Sequence, residues 1–370
     1  MNIVFRADAS VRIGIGHIMR CLTLADALAI EGHDCTFVTR NHSGHLADLI
    51  QRRGHRVALM EPPAKNGSNE TGDSEYAEWL GASWQADAEE TIELLQDSKA
   101  DWLIVDHYAI DHRWHKVLRP AAEKILVVDD LANRALDCEV VLNQNYGCRE
   151  NDYRKRVRPD CLLLLGPRYA LLRPEFSQLR PQAIEKRKTF QGIRRILVSM
   201  GGTDADNATS LVLQTLAGVD WPKPPEIDVV LNSRAPHLQS VIESARLHPL
   251  AVSVAVDVND MAERMLRADL AFGAGGVTTW ERCCLGLPSL VIMTANNQNF
   301  TIQTLHEFGV IFSLGPKNDF IRDIFMDDIE ALTGSDKWQE MSRRSFAMTD
   351  GAGCLEVSHA MINISGQAAR

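Results

Sequence analysis

The chain has 370 residues, of which 45% are hydrophobic, and a formal net charge of −10 at pH 7. This length exceeds what one ordinary hydrophobic core organises and predicts two domains. The negative charge and the absence of a Lys/Arg run argue against a nucleic-acid surface, because binding a phosphate backbone requires concentrated positive charge.

Membrane, secretory and disulfide-rich classes also fit the sequence poorly. It has no signal-peptide pattern and no apolar run of about 18 residues, so we expect a cytoplasmic chain without a membrane span. The eight cysteines form no CxxC pair, which predicts reduced thiols rather than a zinc site. No heptad pattern or apolar stripe indicates a protein partner, and we expect small-molecule partners.

The first half alternates short apolar runs with helical patterns. The runs are NIVF, CTFVT, RVALM, DWLIVD, KILVVDD and CEVVLNQN. Such alternation is typical of a parallel sheet covered by helices on both faces, and it predicts an α/β domain over residues 1–180. The Pro-, Gly- and Ser-containing segment 61–74 is predicted to be a surface loop.

The first candidate site is the sequence GIGH, Gly14 to His17, after the first strand. Glycines permit a tight turn there, and His17 begins an apolar-striped helix that should end near Gly32. A helix N-terminus disfavours the imidazolium form, so His17 is suited to accept a proton near neutral pH. A capping or core role for His17 is the alternative.

A dinucleotide-binding loop is a second alternative for this turn. The GxGxxG pattern is only partly present, since Met19 occupies the third glycine position. Arg40 ends the second strand, where a ribose-binding acidic residue is usual. The pattern therefore disfavours NAD, leaves NADP open and favours another ligand.

The second candidate site is VDHYAIDHRWH, at the end of a predicted strand. Asp106 and Tyr108 follow that strand directly, where side chains can hydrogen-bond a polar ligand. Asp106 and His107 could form a metal site together with Asp111, His112 and His115. A charged helix start explains the last three as well. We predict no metal.

The second half repeats the strand–helix alternation after a charged stretch, RPQAIEKRKTFQG, which we interpret as a linker. Its apolar runs are RRILVSM, EIDVVLN, AVSVAVD, DLAFGA and SLVIM. They predict a second α/β domain over residues 190–335, followed by two helices in a tail, 336–370, that could pack back on the domains.

Two glycine-containing loops follow strands of this second domain. Gly201 and Gly202, in SMGGTDADN, could bring backbone N–H groups to a phosphate, although Asp204 and Asp206 could simply cap the next helix. In the second loop, the segment GAGGVTTWE is predicted to begin a helix, and the N-terminus of that helix is suited to bind a diphosphate. The candidate binding residues there and in the following loop are Gly275, Gly276, Val277, Thr278, Glu281, Asn297 and Gln298.

These motifs together resemble the UDP-sugar hydrolases of pseudaminic acid biosynthesis. The matching segments are FRADASVRIGIGHIMRCLTLA, VDHY, VVDDLANR, LNQN, SMGGTD, GAGGVTTWERCCLGLPSLVI and NQ, in the family's order up to about Gln298. Asn296 departs from the pattern, where an acidic residue is expected.

The resemblance implies a GT-B fold, in which two Rossmann-like α/β domains face each other across a cleft. It implies hydrolysis of a UDP-linked 2,4-diacetamido-2,4,6-trideoxy sugar by water attack at C1, with no cofactor. His17 would be the catalytic base, Glu281 would bind ribose, and Asn297 and Gln298 would lie near the sugar. Four residues from the first motif join the substrate-binding set: Arg6, Asp8, Gly14 and Gly16. A glycosyltransferase, a hydrolase acting on another sugar and a non-catalytic sugar-nucleotide sensor are the alternatives.

Overall fold

The apolar runs of the sequence form parallel strands in a computed structural model. The structure describes residues 1–63, 75–95, 99–201, 204–295, 298–316, 329 and 335–367. The chain divides into two units, one formed by Met1–Leu171 with Gly353–Arg370 and the other by Leu172–Ala352.

Each unit contains one parallel sheet among the described residues. The first sheet has seven strands in the order β3-β2-β1-β4-β5-β6-β7, and the second has six in the order β10-β9-β8-β11-β12-β13. The strands are β1 (Asn2–Ala7), β2 (Asp34–Arg40), β3 (Arg56–Met60), β4 (Ala100–Asp106), β5 (Ala122–Val128), β6 (Val140–Asn143), β7 (Leu162–Leu165), β8 (Arg195–Ser199), β9 (Glu226–Leu231), β10 (Val252–Val256), β11 (Leu270–Ala274), β12 (Ser289–Met293) and β13 (Phe312–Pro316).

Helices connect the strands in both units. They are α1 (Gly16–Ile30), α2 (Ala47–Arg52), α3 (Trp84–Leu95), α4 (His112–Leu118), α5 (Glu150–Tyr153), α6 (Pro174–Lys188), α7 (Ala208–Leu216), α8 (Leu238–Leu247), α9 (Met261–Arg267), α10 (Val277–Cys284), α11 (Asn299–Glu307), α12 (Ser335–Phe346) and α13 (Gly353–Gln367). Short 3₁₀ turns lie at Ala77–Trp79 and Pro167–Tyr169. The prediction of α/β units with parallel sheets is confirmed.

The core of the first unit lies on both faces of its sheet. Phe5 and Phe37, on neighbouring strands, stack with ring centroids 4.7 Å apart. The apolar stripe of α1 is buried against this layer, as its spacing predicted. Helix α13 belongs to the same core through Val357 and Met361, both fully buried.

The core of the second unit is built in the same way around β8 and β11. Phe272, on β11, and Val198, on β8, are buried beneath the helices of that unit. Helix α12 packs here, with Trp338 Nε1 donating to the Asp269 carbonyl at 2.7 Å and its ring stacked on Phe190. The two tail helices predicted from sequence therefore belong to different units.

The linker predicted at residues 180–192 is wrong, because α6 continues through it to Lys188. Its charged side chains are used to satisfy carbonyl groups of the second unit. Arg180 donates to the Cys284 carbonyl at 2.8 Å, and Arg187, which is buried, donates to the Met265 carbonyl at 3.0 Å. The boundary between units falls at Leu172, and α6 belongs to the second unit.

Two strands, β7 and β13, were not predicted. Most of the segment 61–74, interpreted as a surface loop, lies outside the described residues. In the part of the chain that the structure describes, no helix is both long and apolar enough to cross a membrane.

Candidate active site

His17 lies at the start of α1, directly after the turn in which Gly14 adopts a φ of +81°. Its Nδ1 atom is 2.6 Å from Oδ1 of Asp106, the last residue of the adjacent strand β4. A carboxylate at this distance holds the proton on Nδ1 and leaves the Nε2 lone pair to accept another. The His17 side chain is 10% exposed.

Asp106 is completely buried and also binds Arg20, one helical turn beyond His17. Arg20 Nε is 2.6 Å from Oδ2 and Arg20 Nη2 is 2.7 Å from Oδ1. Burial alone would raise the pKa of Asp106, but the charges of Arg20 and His17 outweigh it and hold the pKa well below its usual range. Asp106 is therefore ionised and placed to orient His17, not to face a ligand as predicted.

Tyr108 and Asp130 complete this cluster. Tyr108 donates its hydroxyl to Asp130 Oδ2 at 2.6 Å, and Arg20 Nη1 binds the same oxygen at 2.7 Å. Burial and the charge of Asp130 keep the pKa of Tyr108 far above its usual value, so the phenol stays protonated. Its ring meets His17 edge to face at a centroid distance of 4.7 Å.

An aromatic surface borders the imidazole. The Trp79 ring lies 6.2 Å from His17 and 5.7 Å from Tyr108, measured between centroids. Tyr76 packs against both Trp79 and Tyr108. Aromatic faces of this kind suit apolar groups of a bound ligand.

Arg6 and Asp8 lie in the interior, and neither has exposed surface. Arg6 is 2.8 Å from Asp8 and 2.6 Å from Asp87, and Arg40 binds the same Asp87 oxygen at 2.8 Å. Asp8 also accepts the Arg40 backbone N–H at 2.7 Å. These ion pairs hold the carboxyl ends of β1 and β2 together. Because Arg6 and Asp8 are buried, they are better placed to support the site than to contact a ligand.

In the second unit, glycines follow strands that are neighbours in the sheet. Gly201 follows β8 with a φ of +89°, and Gly276 follows β11 with a φ of +101°. Gly276 is the N-cap of α10, and no described side chain caps that helix. The backbone N–H groups of Val277 and Thr278 therefore lie at the N-terminus of α10, and no described side chain caps them.

Gln298 lies beside this glycine loop. Its Oε1 accepts the backbone N–H of Thr294, just after β12, at 3.2 Å. A Cβ on Gly275 would lie 2.9 Å from the same oxygen, so the small residue makes room for the amide. Two predicted binding residues, Gly202 and Asn297, lie outside the described residues.

Glu281 is 9% exposed, on α10. Burial raises the pKa of Glu281 despite the opposing charge of Arg173, whose Nη2 is 3.8 Å from Oε1. The next residue, Arg282, points inward and donates to the Ala274 carbonyl at 2.9 Å. Burial lowers the pKa of Arg282 to about 10.

Asp204, for which a helix cap was considered, and Asp111, which was considered for a metal cluster, both cap helices. Asp204 accepts the N–H groups of Ala208 and Thr209, at the start of α7, and Asp111 accepts that of Arg113 in α4. Within the described residues no group of three or more His, Cys, Asp or Glu side chains is arranged to hold a metal ion.

Sequence reasoning missed Arg20, Asp87, Asp130 and Trp79. A signal existed for Arg20, which follows His17 by one helical turn, and for Asp130, which lies within the VVDDLANR motif. Asp87 and Trp79 have no such signal, because their contacts join distant parts of the chain.

The comparison with protein-family models found no match. Over 310 residues, the chain is 29% identical to the UDP-2,4-diacetamido-2,4,6-trideoxy-beta-L-altropyranose hydrolase of Campylobacter jejuni, covering 84% of this chain and 97% of that protein. The chain resembles this hydrolase, as its motifs predicted. It is also 25% identical over 319 residues to the spore coat polysaccharide biosynthesis protein SpsG of Bacillus subtilis, covering 85% and 84% of the two chains.

Solved structures show the fold. MurG of Acinetobacter baumannii superimposes with a TM-score of 0.67 at 12% identity, over 98% of this chain and 99% of that chain. The calicheamicin glycosyltransferase CalG4 gives a TM-score of 0.60 at 14% identity, over 100% and 98%. The fold is the α/β GT-B fold with two Rossmann-like domains.

Proposed function

We propose that this chain hydrolyses a UDP-linked 2,4-diacetamido-2,4,6-trideoxy sugar, UDP-2,4-diacetamido-2,4,6-trideoxy-beta-L-altropyranose, to the free sugar and UDP. The similarity to the Campylobacter jejuni hydrolase over 84% of the chain supports this substrate. The observation that carries the reaction is the 2.6 Å contact between His17 Nδ1 and Asp106. It orients the imidazole so that Nε2 can act as a base.

In this proposal His17 Nε2 takes a proton from water as the water oxygen attacks C1 of the sugar. The C1–O bond to the diphosphate breaks, and UDP leaves with the bonding electrons. Asp106 stabilises the imidazolium that forms, as a carboxylate does behind a catalytic histidine. Arg20 holds Asp106 in place through contacts of 2.6 and 2.7 Å, and Asp130 in turn binds Arg20 at 2.7 Å.

One base suffices because the leaving group is a diphosphate. Ordinary glycosidases use a second carboxyl group to protonate a poorly leaving alkoxide. A diphosphate is a weak base and needs electrostatic stabilisation instead, which helix-terminal N–H groups can supply. The reaction in this form needs no metal.

We assign the nucleotide contacts to the second unit. The backbone N–H groups of Val277 and Thr278, with the loop at Gly201, would hold the diphosphate. Glu281 would accept hydrogen bonds from the ribose hydroxyls, and Gln298 would contact the sugar. Gly202 and Asn297 complete the proposed set.

The aromatic surface formed by Tyr76, Trp79 and Tyr108 would contact the sugar in this proposal. Trp79 and Tyr108 lie within 6.2 Å of the His17 ring, so a sugar whose C1 is near His17 would also be near these rings. A 6-deoxy methyl group and the acetamido methyl groups are the apolar parts of the proposed substrate, and aromatic faces favour them.

A glycosyltransferase is the second candidate, favoured by the fold shared with MurG and CalG4. In that case His17 would deprotonate an acceptor hydroxyl rather than water. A hydrolase of polysaccharide synthesis acting on another sugar is the third, favoured by the similarity to SpsG.

The deciding experiment incubates the purified protein with the proposed UDP-sugar in EDTA, without an acceptor, and follows the phosphorus NMR signals. Release of UDP together with free sugar supports a metal-independent hydrolase. If the sugar nucleotide stays intact until an acceptor alcohol is added, the transferase is correct. Turnover only with another UDP-sugar would keep the hydrolase class and replace the substrate.

A further inference from the structure

Two thiols face each other at the amino ends of β6 and β7. Cys138 lies just before β6 and Cys161 directly before β7, with their Sγ atoms 3.9 Å apart. The two strands pair in parallel. Leu162, which follows Cys161, donates its backbone N–H to the carbonyl of Glu139, which follows Cys138, at 2.8 Å. Regular strand pairing therefore holds the sulfur atoms in contact.

The two cysteines differ in exposure and in acidity. Cys138 is completely buried, whereas Cys161 is partly exposed. The hydrogen bond from the Cys138 thiol lowers the pKa of Cys161, and the same bond raises the pKa of Cys138. An accessible, more acidic thiol backed by a second thiol is the arrangement that oxidants convert to a disulfide.

We propose that Cys138 and Cys161 form a reversible disulfide when a hydroperoxide oxidises the protein. The Cys161 thiolate attacks the peroxide, its sulfur gains oxygen as a sulfenic acid, and hydroxide leaves to become water. The sulfur of Cys138 then attacks the sulfenic sulfur, its proton leaves with the released hydroxide as a second water molecule, and the S–S bond forms. Two thiols are oxidised and one hydrogen peroxide is reduced.

Cys148 provides a matched control on the same stretch of chain. It is partly exposed, like Cys161, but burial and the charge of Asp152 raise its pKa to about 12. Its sulfur accepts a hydrogen bond from Asn143 Nδ2 at 3.4 Å. The five other cysteines are buried: Cys21, Cys35, Cys283, Cys284 and Cys354.

The test treats the reduced full chain with a small excess of hydrogen peroxide, then blocks free thiols with an alkylating reagent and maps peptides by mass spectrometry. We expect the number of free thiols to fall from eight to about six, with a Cys138–Cys161 peptide that dithiothreitol restores. Cys148→Ser should form the same bond. In Cys138→Ser, Cys161 should instead be trapped as a sulfenic acid by dimedone.

Three results would overturn the proposal. One is retention of all eight thiols at peroxide concentrations that oxidise a free cysteine peptide. Another is a disulfide that includes Cys148, and the third is sulfenic acid at Cys161 in the unsubstituted chain without conversion to the disulfide. Peptide mapping needs no activity, so these results stand apart from the proposed hydrolysis.

Discussion

The carboxyl edges of the two sheets present polar groups in opposite ways. In the first unit, the edge carries charged side chains that are buried and paired, with His17 supported by Asp106 and Arg20. In the second unit, the edge carries glycines such as Gly201 and Gly276, and the polar groups on offer are backbone N–H groups. The same parallel-sheet architecture thus supplies an oriented side chain, His17, at the carboxyl edge of the first sheet. At the carboxyl edge of the second sheet it supplies accessible backbone N–H groups.

This difference follows the chemistry that each edge is suited to perform. A base must have one defined tautomer, which requires a partner on the other ring nitrogen. A diphosphate is better held by several neutral donors that a Cβ would obstruct. The first edge should therefore be sensitive to small changes of charge, and the second to small additions of bulk or backbone strain.

The largest effect is expected for His17→Ala. Loss of a general base should lower kcat by about 10²–10⁴-fold, while UDP affinity, assigned to the second unit, stays within about twofold, well under the 1.4 kcal/mol of a tenfold change. Steady-state kinetics and calorimetry of UDP binding measure the two quantities. His112→Ala, at a partly exposed position in α4, is the control and should match the unsubstituted protein. Equal losses in kcat and UDP affinity would contradict the assignment.

Asp106→Asn should give the next largest effect, a fall in kcat on the order of 10²-fold. The amide keeps the shape but loses the charge that stabilises an imidazolium and can no longer hold the proton on Nδ1. Nitrogen NMR of the His17 ring should show one tautomer in the unsubstituted protein and a mixture in the variant. Asp111→Asn is the control, since Asp111 caps α4 and pairs with the Arg113 side chain, outside the His17 cluster. An unchanged tautomer with normal turnover would leave Asp106 without this role.

Gly276→Ala should weaken UDP binding roughly tenfold, because a Cβ at a φ of +101° costs about 1–3 kcal/mol of strain or shifts the loop. No described atom lies within 4 Å of that Cβ, so backbone strain rather than a clash is tested. Gly366→Ala, also in open space but within α13, is the control and should bind UDP normally. Calorimetry with UDP measures both, and unchanged affinity in Gly276→Ala would remove this turn from the nucleotide site.

The smallest effect concerns stability in acid. Arg6 and Arg20 help to hold the pKa values of Asp8, Asp87 and Asp106 below their usual range against the opposing effect of burial. Folded-state pKa values below those of the unfolded chain give stability that is present above about pH 4 and is lost as pH falls further.

In the second unit, burial gives Glu281 a raised pKa and the opposite sign, so protonation as pH falls favours the folded state. Hydrogen exchange measured by mass spectrometry from pH 5 to about pH 3 should show peptides of the first unit losing protection before those of the second. The reverse order would contradict this account.

How far the sequence predicts the molecule depends on the range of the interactions. Apolar runs and turn residues are local, and they predicted eleven strands and the start of α1 near His17. The residues of ion pairs such as Arg6 with Asp87 lie far apart in sequence, so no local sequence pattern predicts these pairs. The charged stretch within α6 looked like a linker because its Arg and Lys side chains satisfy buried carbonyl groups, an environment that composition does not reveal.

Helix α13 has a consequence for how the protein is made. Residues 353–367 complete the core that begins with β1, so the whole second unit is synthesised between two parts of one hydrophobic layer. A ribosome that has released only the first 171 residues presents α1 without the Val357 and Met361 side chains that cover it. The nascent first unit stays partly uncovered until residues 353–367 have been synthesised, and a chaperone that shields apolar surface would act during that interval.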